Sequence, residues 1–289
     1  IENVGDLNEM VAQKRIAECI QVAEGLHEKK IAHVADRIAA GIDKAKFVFI
    51  AGPSSSGKTT FAKRLGIQLR VNGLTPIGIG LDDYFVDREA TPKDDRGEYD
   101  FESLYALNID ALNSNLVKLL AGEEVTVPRY DFKNGKSVPG DRRIRLEKNQ
   151  VLIVEGIHGL NDQLTPRIPP ESKFKVYVSA LTQLSIDTLN RIPTTDTRLI
   201  RRLVRDRRYR GYPTSETIRR WPSVVRGEKR NIFPYQEGAD VIFNTALPYE
   251  LAVLKRFARR FLEEVTPEEP EFAEARRILT FLQLFVTVD

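Results

Sequence analysis

The sequence predicts an α/β fold whose core is a doubly wound, mostly parallel β-sheet. Two observations support this prediction: five short apolar runs alternate with helix-length amphipathic segments, and a glycine-rich loop directly follows the first run. Such alternation is typical of βαβ units, in which helices bury both faces of the sheet. The expected strands span residues 47–52, 76–81, 151–156, 174–180 and 239–244.

Helices are predicted on either side of this sheet region. Across residues 8–40 apolar side chains recur at three- and four-residue steps, and breaks are expected at Gly25 and Gly41. Two more helices are predicted at 249–265 and 270–285, separated by a Thr-Pro pair. We therefore expect three parts: an N-terminal helical extension (1–45), a central domain (46–246) and C-terminal helices packed on that domain (247–289).

A β-hairpin insertion is predicted between the second and third strands of the sheet. Residues 124–130 and 142–146 have strand character, and the turn-forming pair Asn134-Gly135 lies between them. Their polar side chains do not suit the interior of a sheet that is buried on both faces. We therefore expect the hairpin, at about residues 123–147, to lie outside the main sheet.

Composition and charge limit the functional classes. The chain has 289 residues, of which 42% are hydrophobic and 29% charged, as is ordinary for a soluble globular protein. The net charge of +3 is too small to indicate a nucleic-acid partner by itself, and no apolar run reaches the roughly 18 residues of a membrane span. The single cysteine, Cys19, fits a reducing compartment, and the three histidines lack zinc-ligand spacing. We expect a cytoplasmic protein without a membrane partner.

The most specific motif is a glycine-rich loop at residues 52–59, between an apolar strand and an amphipathic helix. It matches a phosphate-binding loop (P-loop), in which small residues let successive backbone N–H groups face phosphate oxygens. Lys58 is expected to place its charge at the β- and γ-phosphates, and Thr59 its hydroxyl at Mg²⁺. We therefore expect ATP and Mg²⁺ as cofactors. The expected ATP contacts in this segment are Gly52, Pro53, Ser54, Ser55, Ser56, Gly57, Lys58, Thr59 and Thr60.

Carboxylates are expected at the same edge of the sheet as this loop. The strand at 151–156 ends in a lone glutamate, Glu155, which can reach Mg²⁺, and Asp82 and Asp83 follow the second strand. A mechanical ATPase usually carries Asp-Glu at the end of the strand where this chain has Glu155 alone. A GTPase carries an Asn-Lys-x-Asp motif, which this chain lacks. A kinase needs a carboxylate that orients and deprotonates the acceptor hydroxyl. Spacing alone leaves Asp82 and Asp83 as equal candidates.

An arginine-rich segment is predicted to form a helical lid at about residues 196–226. Seven arginines lie between Arg198 and Arg210, and on a helix Arg198, Arg202 and Arg205 share one stripe. Arginines on a mobile lid can close over transferring phosphates and balance the developing charge. A solvated basic helix, or a surface that docks RNA, would produce the same pattern.

In their order along the chain, these motifs resemble the uridine kinase and phosphoribulokinase family over about residues 47–244. The resemblance implies a kinase that phosphorylates the 5′-hydroxyl of a nucleoside with ATP. The start of the chain also resembles a linker in longer bacterial members that carry a threonyl-tRNA-synthetase-like region upstream, which would explain why the chain begins with Ile1 rather than Met. The matching segments are 52–59, 82–85, 99–101, 128–132, 153–156 and 198–211.

The resemblance implies roles for residues on the acceptor side. Asp82, rather than Asp83, matches the catalytic aspartate that serves as the base near Mg²⁺. Asp100 matches the residue that holds the ribose hydroxyls, and Tyr130 matches an aromatic side chain beside the base. We also expect Tyr84 to contact the acceptor.

The resemblance also implies roles on the phosphate side. Glu155 matches the glutamate associated with Mg²⁺, and Arg202 matches an arginine that contacts the sugar. Arg205 and Arg210 match lid arginines that contact the phosphates of ATP. The expected catalytic residues are Asp82, Lys58 and Arg205, and the expected metal ligands are Thr59, Asp82 and Glu155.

Two departures from the family concern the acceptor base. Uridine-cytidine kinases carry a histidine where this chain has Gly135, and a base-reading glutamine where it has Arg220, before Trp221. A pocket flanked by Tyr130 and Trp221 would hold a base by stacking, so we expect Arg220 and Trp221 to line the pocket and the base specificity to be broad or shifted, with thymidine among the acceptors. The alternative is that a neighbour replaces the histidine: Lys133, Asn134 or Lys136.

Four questions stay open at the level of sequence. The acceptor is expected to be a small molecule, a nucleoside, but another alcohol or a sugar phosphate would use the same fold. A nucleotide-switched module that binds RNA through the basic helix is the rival from another functional class, and the presence of Asp82 and Asp100 argues against it. The sequence does not distinguish ATP from GTP as donor, or a monomer from a homo-oligomer.

Overall fold

A parallel β-sheet organises the chain, which a computed structural model describes over residues 1–94 and 97–288. Its strands are β1 (Phe47–Ala51), β2 (Thr75–Gly80), β5 (Gln150–Glu155), β6 (Lys173–Ser179) and β7 (Val241–Asn244). They pair in the order β2-β5-β1-β6-β7, with every pairing parallel. The predicted strands and the doubly wound sheet are therefore confirmed, with boundaries shifted by one or two residues.

Helices lie on both faces of the sheet and at one end of it. In the described residues they are α1 (Val4–Ala12), α2 (Ile16–Ala40), α3 (Lys58–Val71), α4 (Ile109–Leu120), α5 (Thr194–Tyr209), α6 (Thr214–Asn231), α7 (Glu250–Glu263) and α8 (Phe272–Gln283). Within the described part of the chain, no helix combines the length and apolar character that crossing a membrane would require.

The central strand β1 shows how the two faces are covered. Its alternate side chains point to opposite faces because the side-chain period of a strand is two residues. Phe47 and Phe49 pack with α4 on one face, whereas Val48 and Ile50 pack with α2 and α3 on the other. All five residues of β1 are completely buried, so the sheet is covered on both sides at the strand that leads into the glycine-rich loop.

The N-terminal helices differ from the prediction. Helix α2 continues through Gly25, and the observed break lies instead at residues 13–15, between α1 and α2. Tertiary contacts explain the continuity: Arg64 of α3 bonds to Glu24 and Glu28, on either side of the glycine, and offsets its cost of about 1 kcal/mol in a helix. The predicted end at Gly41 is confirmed.

The insertion forms a separate two-stranded sheet, as predicted, from β3 (Val125–Asp131) and β4 (Lys136–Ile144). β4 begins six residues before the expected strand, and the register shifts near Pro128, which has no N–H to donate. Gly140 is required here, since a Cβ at this position would lie 1.9 Å from the carbonyl oxygen of Val127. Arg142 anchors the hairpin on β2 by donating to the carbonyl oxygen of Gly78 at 2.7 Å.

A second buried cluster joins the two ends of the chain. Helices α5 and α6 pack against α7 and α8, and Val4 and Leu7 of α1 contribute to the same apolar cluster. The start of the chain is also fixed by backbone bonds between Val4 and Ser185 and between Ser185 and Glu2. The division of the chain at residues 45 and 246 stays a prediction.

Candidate active site

The glycine-rich loop curls tightly between β1 and α3. Gly52 passes so close to β6 that a Cβ would lie 1.9 Å from the carbonyl oxygen of Val178. Ser55 and Gly57 have φ angles of +58° and +93°, in the left-handed region that favours glycine. Thr245, just after β7, supports the loop from below by donating to the carbonyl oxygen of Ser56 at 2.5 Å. The loop is therefore held in one shape by residues distant in the sequence.

Lys58 reaches back into the loop from the first position of α3. Its Nζ donates to the carbonyl oxygens of Gly52 at 2.9 Å and Pro53 at 3.1 Å. Burial lowers the pKa of Lys58, and the negative charges of Glu155, Glu102 and Asp82 act in the opposite direction. The ammonium group thus faces three carboxylates from three different segments.

Thr59 and Glu155 bring hard oxygen atoms together at the mouth of the loop. Thr59 Oγ1 donates to Glu155 Oε1 at 2.6 Å, joining the first turn of α3 to the last residue of β5. Burial raises the pKa of Asp82, and the nearby charge of Glu155 raises it further while Lys58 lowers it. These three residues therefore share one end of the sheet.

The oxygen atoms of Thr59, Asp82 and Glu155 are of the kind that binds Mg²⁺. Magnesium prefers oxygen ligands and is usually held by one or two carboxylates together with substrate phosphates. A divalent cation between Asp82 and Glu155 would also relieve the repulsion between them. Over residues 1–94 and 97–288, no cluster of three or more acidic, histidine or cysteine side chains is arranged for a metal. Side chains of the described residues alone therefore do not complete a metal site here. The candidate ligands are Thr59, Asp82 and Glu155, and phosphate oxygens of the bound nucleotide would complete the set.

Asp82 and Asp83 have different surroundings. The charges of Lys58 and Arg210 oppose the effect of burial on the pKa of Asp82. Burial also raises the pKa of Asp83, but the cation that opposes this effect is Arg142 of the hairpin. Spacing alone could not separate the two carboxylates, whereas in the structure Asp82 interacts with the lysine of the phosphate loop and Asp83 with the hairpin. Tyr84, next to them, is buried and accepts a hydrogen bond from Asn115 at 3.0 Å.

The lid arginines converge on one buried carboxylate, Asp206. Arg205 donates to it through Nε and Nη2 at 2.9 and 2.8 Å, and Arg202 and Arg210 lie 3.2 and 3.6 Å from its oxygens. Arg202 also donates to the hydroxyl of Ser54 in the loop at 2.9 Å. Asp206 thereby aligns the three arginines that the sequence assigned to the sugar and the phosphates.

Arg198 differs from the expected mobile lid arginine. Its side chain is 1% exposed and forms an ion pair with Glu228 of α6. Arg198 Nε also donates to the carbonyl oxygen of Ser54 at 2.9 Å, and Glu228 accepts from the backbone N–H of Ser54. Arg198 and Glu228 therefore fix α5 and α6 to the phosphate loop. Of the expected stripe, Arg198 is completely buried, whereas Arg202 and Arg205 are partly buried.

The prediction that Trp221 lines the acceptor pocket together with Tyr130 is wrong. Trp221 is 8% exposed, lies in the helical cluster and has the guanidinium of Arg198 over its ring at 5.3 Å. Its ring is therefore not available for stacking on a base. Arg220 is exposed on the outside of α6, where it pairs with Glu216 and lies over the ring of Tyr212.

Tyr130 lies in an aromatic cluster under the hairpin. Its ring packs edge to face on Phe85 and Phe132, at centroid distances of 5.4 and 5.0 Å. Its hydroxyl is buried and has no hydrogen-bond partner in the described part of the chain. Asp100 lies near this cluster after Tyr99, and one of its oxygens accepts the backbone N–H of Glu102 at 3.0 Å. Within the described residues, the Tyr130 hydroxyl is thus left for a ligand to satisfy.

The hairpin turn shows what occupies the position of the missing histidine. Gly135 has a φ of +68°, and a Cβ there would lie 2.7 Å from the guanidinium of Arg88. Arg88 accordingly fills this space and donates to the carbonyl oxygen of Phe132 at 2.9 Å. Of the alternative readers, Lys136 pairs with Asp87 and Glu89, and Asn134 bonds to Asp131.

Several residues at the site carried no sequence signal. Arg201 is adjacent to the predicted stripe, but it bonds to Thr245 at 3.0 Å and pairs with Glu250 of α7. Glu102 lies against Gly227 of α6, and burial raises its pKa to about 7. His158 follows β5 and is buried, which lowers its pKa to about 4. Their placement depends on contacts between distant segments, which no local pattern records.

A cavity of about 470 Å³ lies over the phosphate loop. This volume is typical of small-molecule sites. The loop residues Lys58 and Thr59 form its floor, and Glu155 and Arg205 form part of its sides. The remaining lining includes Ser55, Gly57, Thr60, Phe61, Arg201, Thr245 and Leu247, together with Glu24, His27 and Arg64.

Comparison with known proteins gives a consistent result. The sequence profile of the phosphoribulokinase / uridine kinase family matches residues 47–251. The uridine kinase of Brevibacillus brevis is 32% identical over 194 residues, which cover 67% of this chain and 81% of that protein. The uridine kinase of Staphylococcus aureus is also 32% identical over 194 residues, covering 67% and 84% of the two chains.

Solved structures are similar only at a low level. The structure of a possible uridine kinase from Bacillus stearothermophilus has a TM-score of 0.45 and 20% identity, and it covers 73% of this chain and 97% of that one. Overlap at this level carries no argument about function.

Proposed function

Since this chain belongs to the phosphoribulokinase / uridine kinase family, we propose that it transfers the γ-phosphoryl group of ATP to the 5′-hydroxyl of a nucleoside. The family membership predicted from the motifs is thereby confirmed, and it supports a P-loop kinase. The observation that carries the proposal is the position of Asp82 after β2, where its charge interacts with those of Lys58 and Glu155. A proton acceptor at that position is what phosphoryl transfer to a hydroxyl requires.

The loop and Lys58 bind the phosphates of the donor. Backbone N–H groups of Ser55 and of residues 57–60, together with the positive N-terminus of α3, stabilise the phosphate oxygens, and Lys58 neutralises charge between the β- and γ-phosphates. Thr59, Glu155 and Asp82 would hold Mg²⁺, which would supply further neutralisation of the phosphate charge. The support is geometric: Thr59 and Glu155 are already in contact at 2.6 Å.

The acceptor lies on the hairpin side of Asp82. Asp82 orients the hydroxyl of the acceptor for in-line attack on the γ-phosphorus and takes its proton as the new P–O bond forms. The bond between the γ-phosphorus and the bridging oxygen breaks at the same time, and ADP leaves. Asp100 holds the ribose hydroxyls, and the unpartnered hydroxyl of Tyr130 donates to a polar atom of the acceptor. A buried hydroxyl without a partner costs about 1–3 kcal/mol, so a ligand that satisfies it gains affinity.

The arginines of α5 complete the site on the side of the transferring phosphate. Asp206 holds Arg205 and Arg210 in place, so their charge is directed before the reaction begins. A surface that docks RNA would instead need free positive charge. Most of these arginines are matched by carboxylates, including Glu228, Glu250 and Glu264, which supports the kinase over the RNA-binding alternative.

One experiment tests the proposal directly. The protein is incubated with Mg²⁺, ATP or GTP, and a panel of nucleosides, other small alcohols and sugar phosphates, and phosphorylated products are identified by mass. A nucleoside 5′-monophosphate is the expected product. Phosphorylation of a different alcohol would keep the kinase and replace the acceptor, and the absence of any product with intact ATP binding would favour a nucleotide switch.

A further inference from the structure

Helix α2 lies outside the segment matched by the family, residues 47–251, yet it borders the cavity over the phosphate loop. Glu24 and His27 of α2 line that cavity together with Lys58 and Thr59. The helix is therefore in a position to contact whatever binds at the loop.

A second cavity continues from the first along α2. It has a volume of about 480 Å³, and His27 and Leu247 line both cavities. Val22 and Leu26 form part of its α2 wall, although their side chains are 67% and 52% exposed. The opposite wall is the segment after β7, which includes Asn244, Ala246, Pro248 and Leu251. The two cavities therefore adjoin each other at His27 and Leu247.

Contacts on both sides fix α2 at this junction. Arg64 of α3 donates to Glu28 Oε2 at 2.5 and 2.9 Å and to Glu24 Oε2 at 3.2 Å. Tyr249, just before α7, donates its hydroxyl to Glu24 Oε1 at 2.6 Å. Because α3 begins in the phosphate loop, these bonds connect the position of α2 to the phosphate site.

His27 lies one turn along from Glu24 and points to the end of the sheet. Its ring packs edge to face on Phe243 of β7 at a centroid distance of 5.1 Å. Burial and the charge of Arg64 lower its pKa, so the imidazole is neutral near pH 7 and offers one donor and one acceptor. A neutral ring that is flanked by apolar side chains suits a polar heterocycle better than a phosphate.

We propose that the nucleoside part of the donor nucleotide extends from the phosphate loop past His27 and Leu247 into the second cavity, so that α2 forms one wall of the donor site. The inference rests on the proposed function, because it requires the triphosphate to bind at residues 52–59. On the other side of the phosphate loop lie Asp82 and the hairpin, and under the proposed function the acceptor binds there. Within this site His27 contacts the base or ribose, and Leu26 covers an apolar face.

The test compares two ligands that share phosphates and differ in the nucleoside. Isothermal titration calorimetry on the full chain with Mg²⁺ measures the affinity for ATP and for inorganic tripolyphosphate. His27→Ala is expected to weaken ATP binding about 10-fold and Leu26→Ser about 3-fold, while tripolyphosphate affinity stays unchanged. His33→Ala is the matched control, since His33 is exposed on the same helix and lines neither cavity.

Each outcome distinguishes the two proposals. If wild type binds ATP more tightly than tripolyphosphate and both α2 variants keep wild-type ATP affinity, α2 is not part of the donor site. If ATP and tripolyphosphate weaken equally in the variants, His27 acts through the loop and the nucleoside contact is refuted. If wild type binds neither ligand, the proposed function fails first and the inference fails with it. Leu26 is half exposed, so Leu26→Ser retains a folded test protein even if His27→Ala is unstable.

Discussion

Arg198 of α5 and Glu228 of α6 form an ion pair directly behind the phosphate loop, and each side chain is 1% exposed. Both also bond to the backbone of Ser54, Arg198 to its carbonyl oxygen and Glu228 to its N–H. The pair therefore connects two helices to the loop at a single residue. A buried ion pair of this kind is costly to break, because the remaining charge keeps its desolvation penalty without its partner.

Removing one partner of this pair should destabilise the protein strongly. Glu228→Ala leaves Arg198 buried and unpaired, and we expect a loss of about 3–5 kcal/mol in the free energy of unfolding. Glu216→Ala is the matched control on the same helix, because its partner Arg220 is exposed and such pairs contribute about 0–1 kcal/mol. Urea unfolding of both variants measures the difference. Equal losses would mean that the buried pair has no special structural role.

Asp82 and Asp83 should differ in their effect on turnover. Asp82→Asn keeps the shape of the side chain but cannot take a proton, so we expect kcat to fall about 10²–10⁴-fold while ATP binding is retained. Asp83→Asn should leave kcat within a few-fold of wild type, since Asp83 faces Arg142 of the hairpin. Steady-state kinetics and ATP titrations on both variants check this. A larger loss for Asp83→Asn would reverse the assignment of the base.

Arg205 should act mainly in the transition state. Arg205→Ala is expected to lower kcat more than it raises the KM for ATP, because a lid arginine gains most as charge develops on the transferring group. Arg207, which pairs with Glu264 away from the cavity, provides the control variant Arg207→Ala. Normal kinetics for Arg205→Ala, together with a weakened and salt-sensitive RNA affinity, would support the RNA-binding alternative instead.

Glu102 should make stability depend on pH. Burial and the charge of Glu228 raise its pKa from 4.5 to about 7, so the folded state holds this proton more tightly than the unfolded state does. Its contribution to stability is therefore fully present below the unfolded pKa and is lost as the pH rises toward 7.

The variant Glu102→Gln cannot ionise and should escape this loss. We expect its free energy of unfolding to exceed that of wild type by about 1–2 kcal/mol at pH 8, since one pKa unit corresponds to about 1.4 kcal/mol and solvent screens part of the effect. Near pH 4.5 the two proteins should be equally stable. Thermal unfolding at both pH values provides the measurement, and the exposed Glu98→Gln is the control. The idea fails if the difference between variant and wild type does not change with pH.

The hairpin turn should not accept the histidine of the uridine-cytidine kinases. In Gly135→His the new side chain meets Arg88, and its backbone must keep a φ of +68°, so we expect a loss of about 1–3 kcal/mol in stability and no gain in uridine selectivity. The matched control is Gly97→Ala, at another glycine of positive φ, where no residue that the structure describes lies within 4 Å of an added Cβ.

Wild type is accordingly expected to discriminate weakly among nucleosides. The measurement is kcat/KM for uridine, cytidine, thymidine and a purine nucleoside. A preference for uridine above about 10³-fold would require a dedicated hydrogen-bonding reader of the base, which this turn does not offer.

The sequence by itself determined the parts whose signal is local. The strand at residues 47–51, the loop after it and the helix from Lys58 follow from an apolar run, small residues and helical periodicity within some 25 residues. The sheet class and the family follow for the same reason, since the motifs keep their order along the chain. Local patterns alone left Asp82 and Asp83 as equal candidates for the catalytic base. They also predicted a helix break at Gly25, which is wrong.

The tertiary structure decided which side chains meet. Arg198 and Trp221 had the spacing of lid and pocket residues, but packing of α5 and α6 against α7 and α8 buried both of them. Asp82 was separated from Asp83 by the cation that acts on each carboxylate after β2, Lys58 for the former and Arg142 for the latter. The place of His27 beside the loop depends on Arg64 and Tyr249. Such contacts join residues up to 225 positions apart, and the burial that selects them is a property of the folded chain.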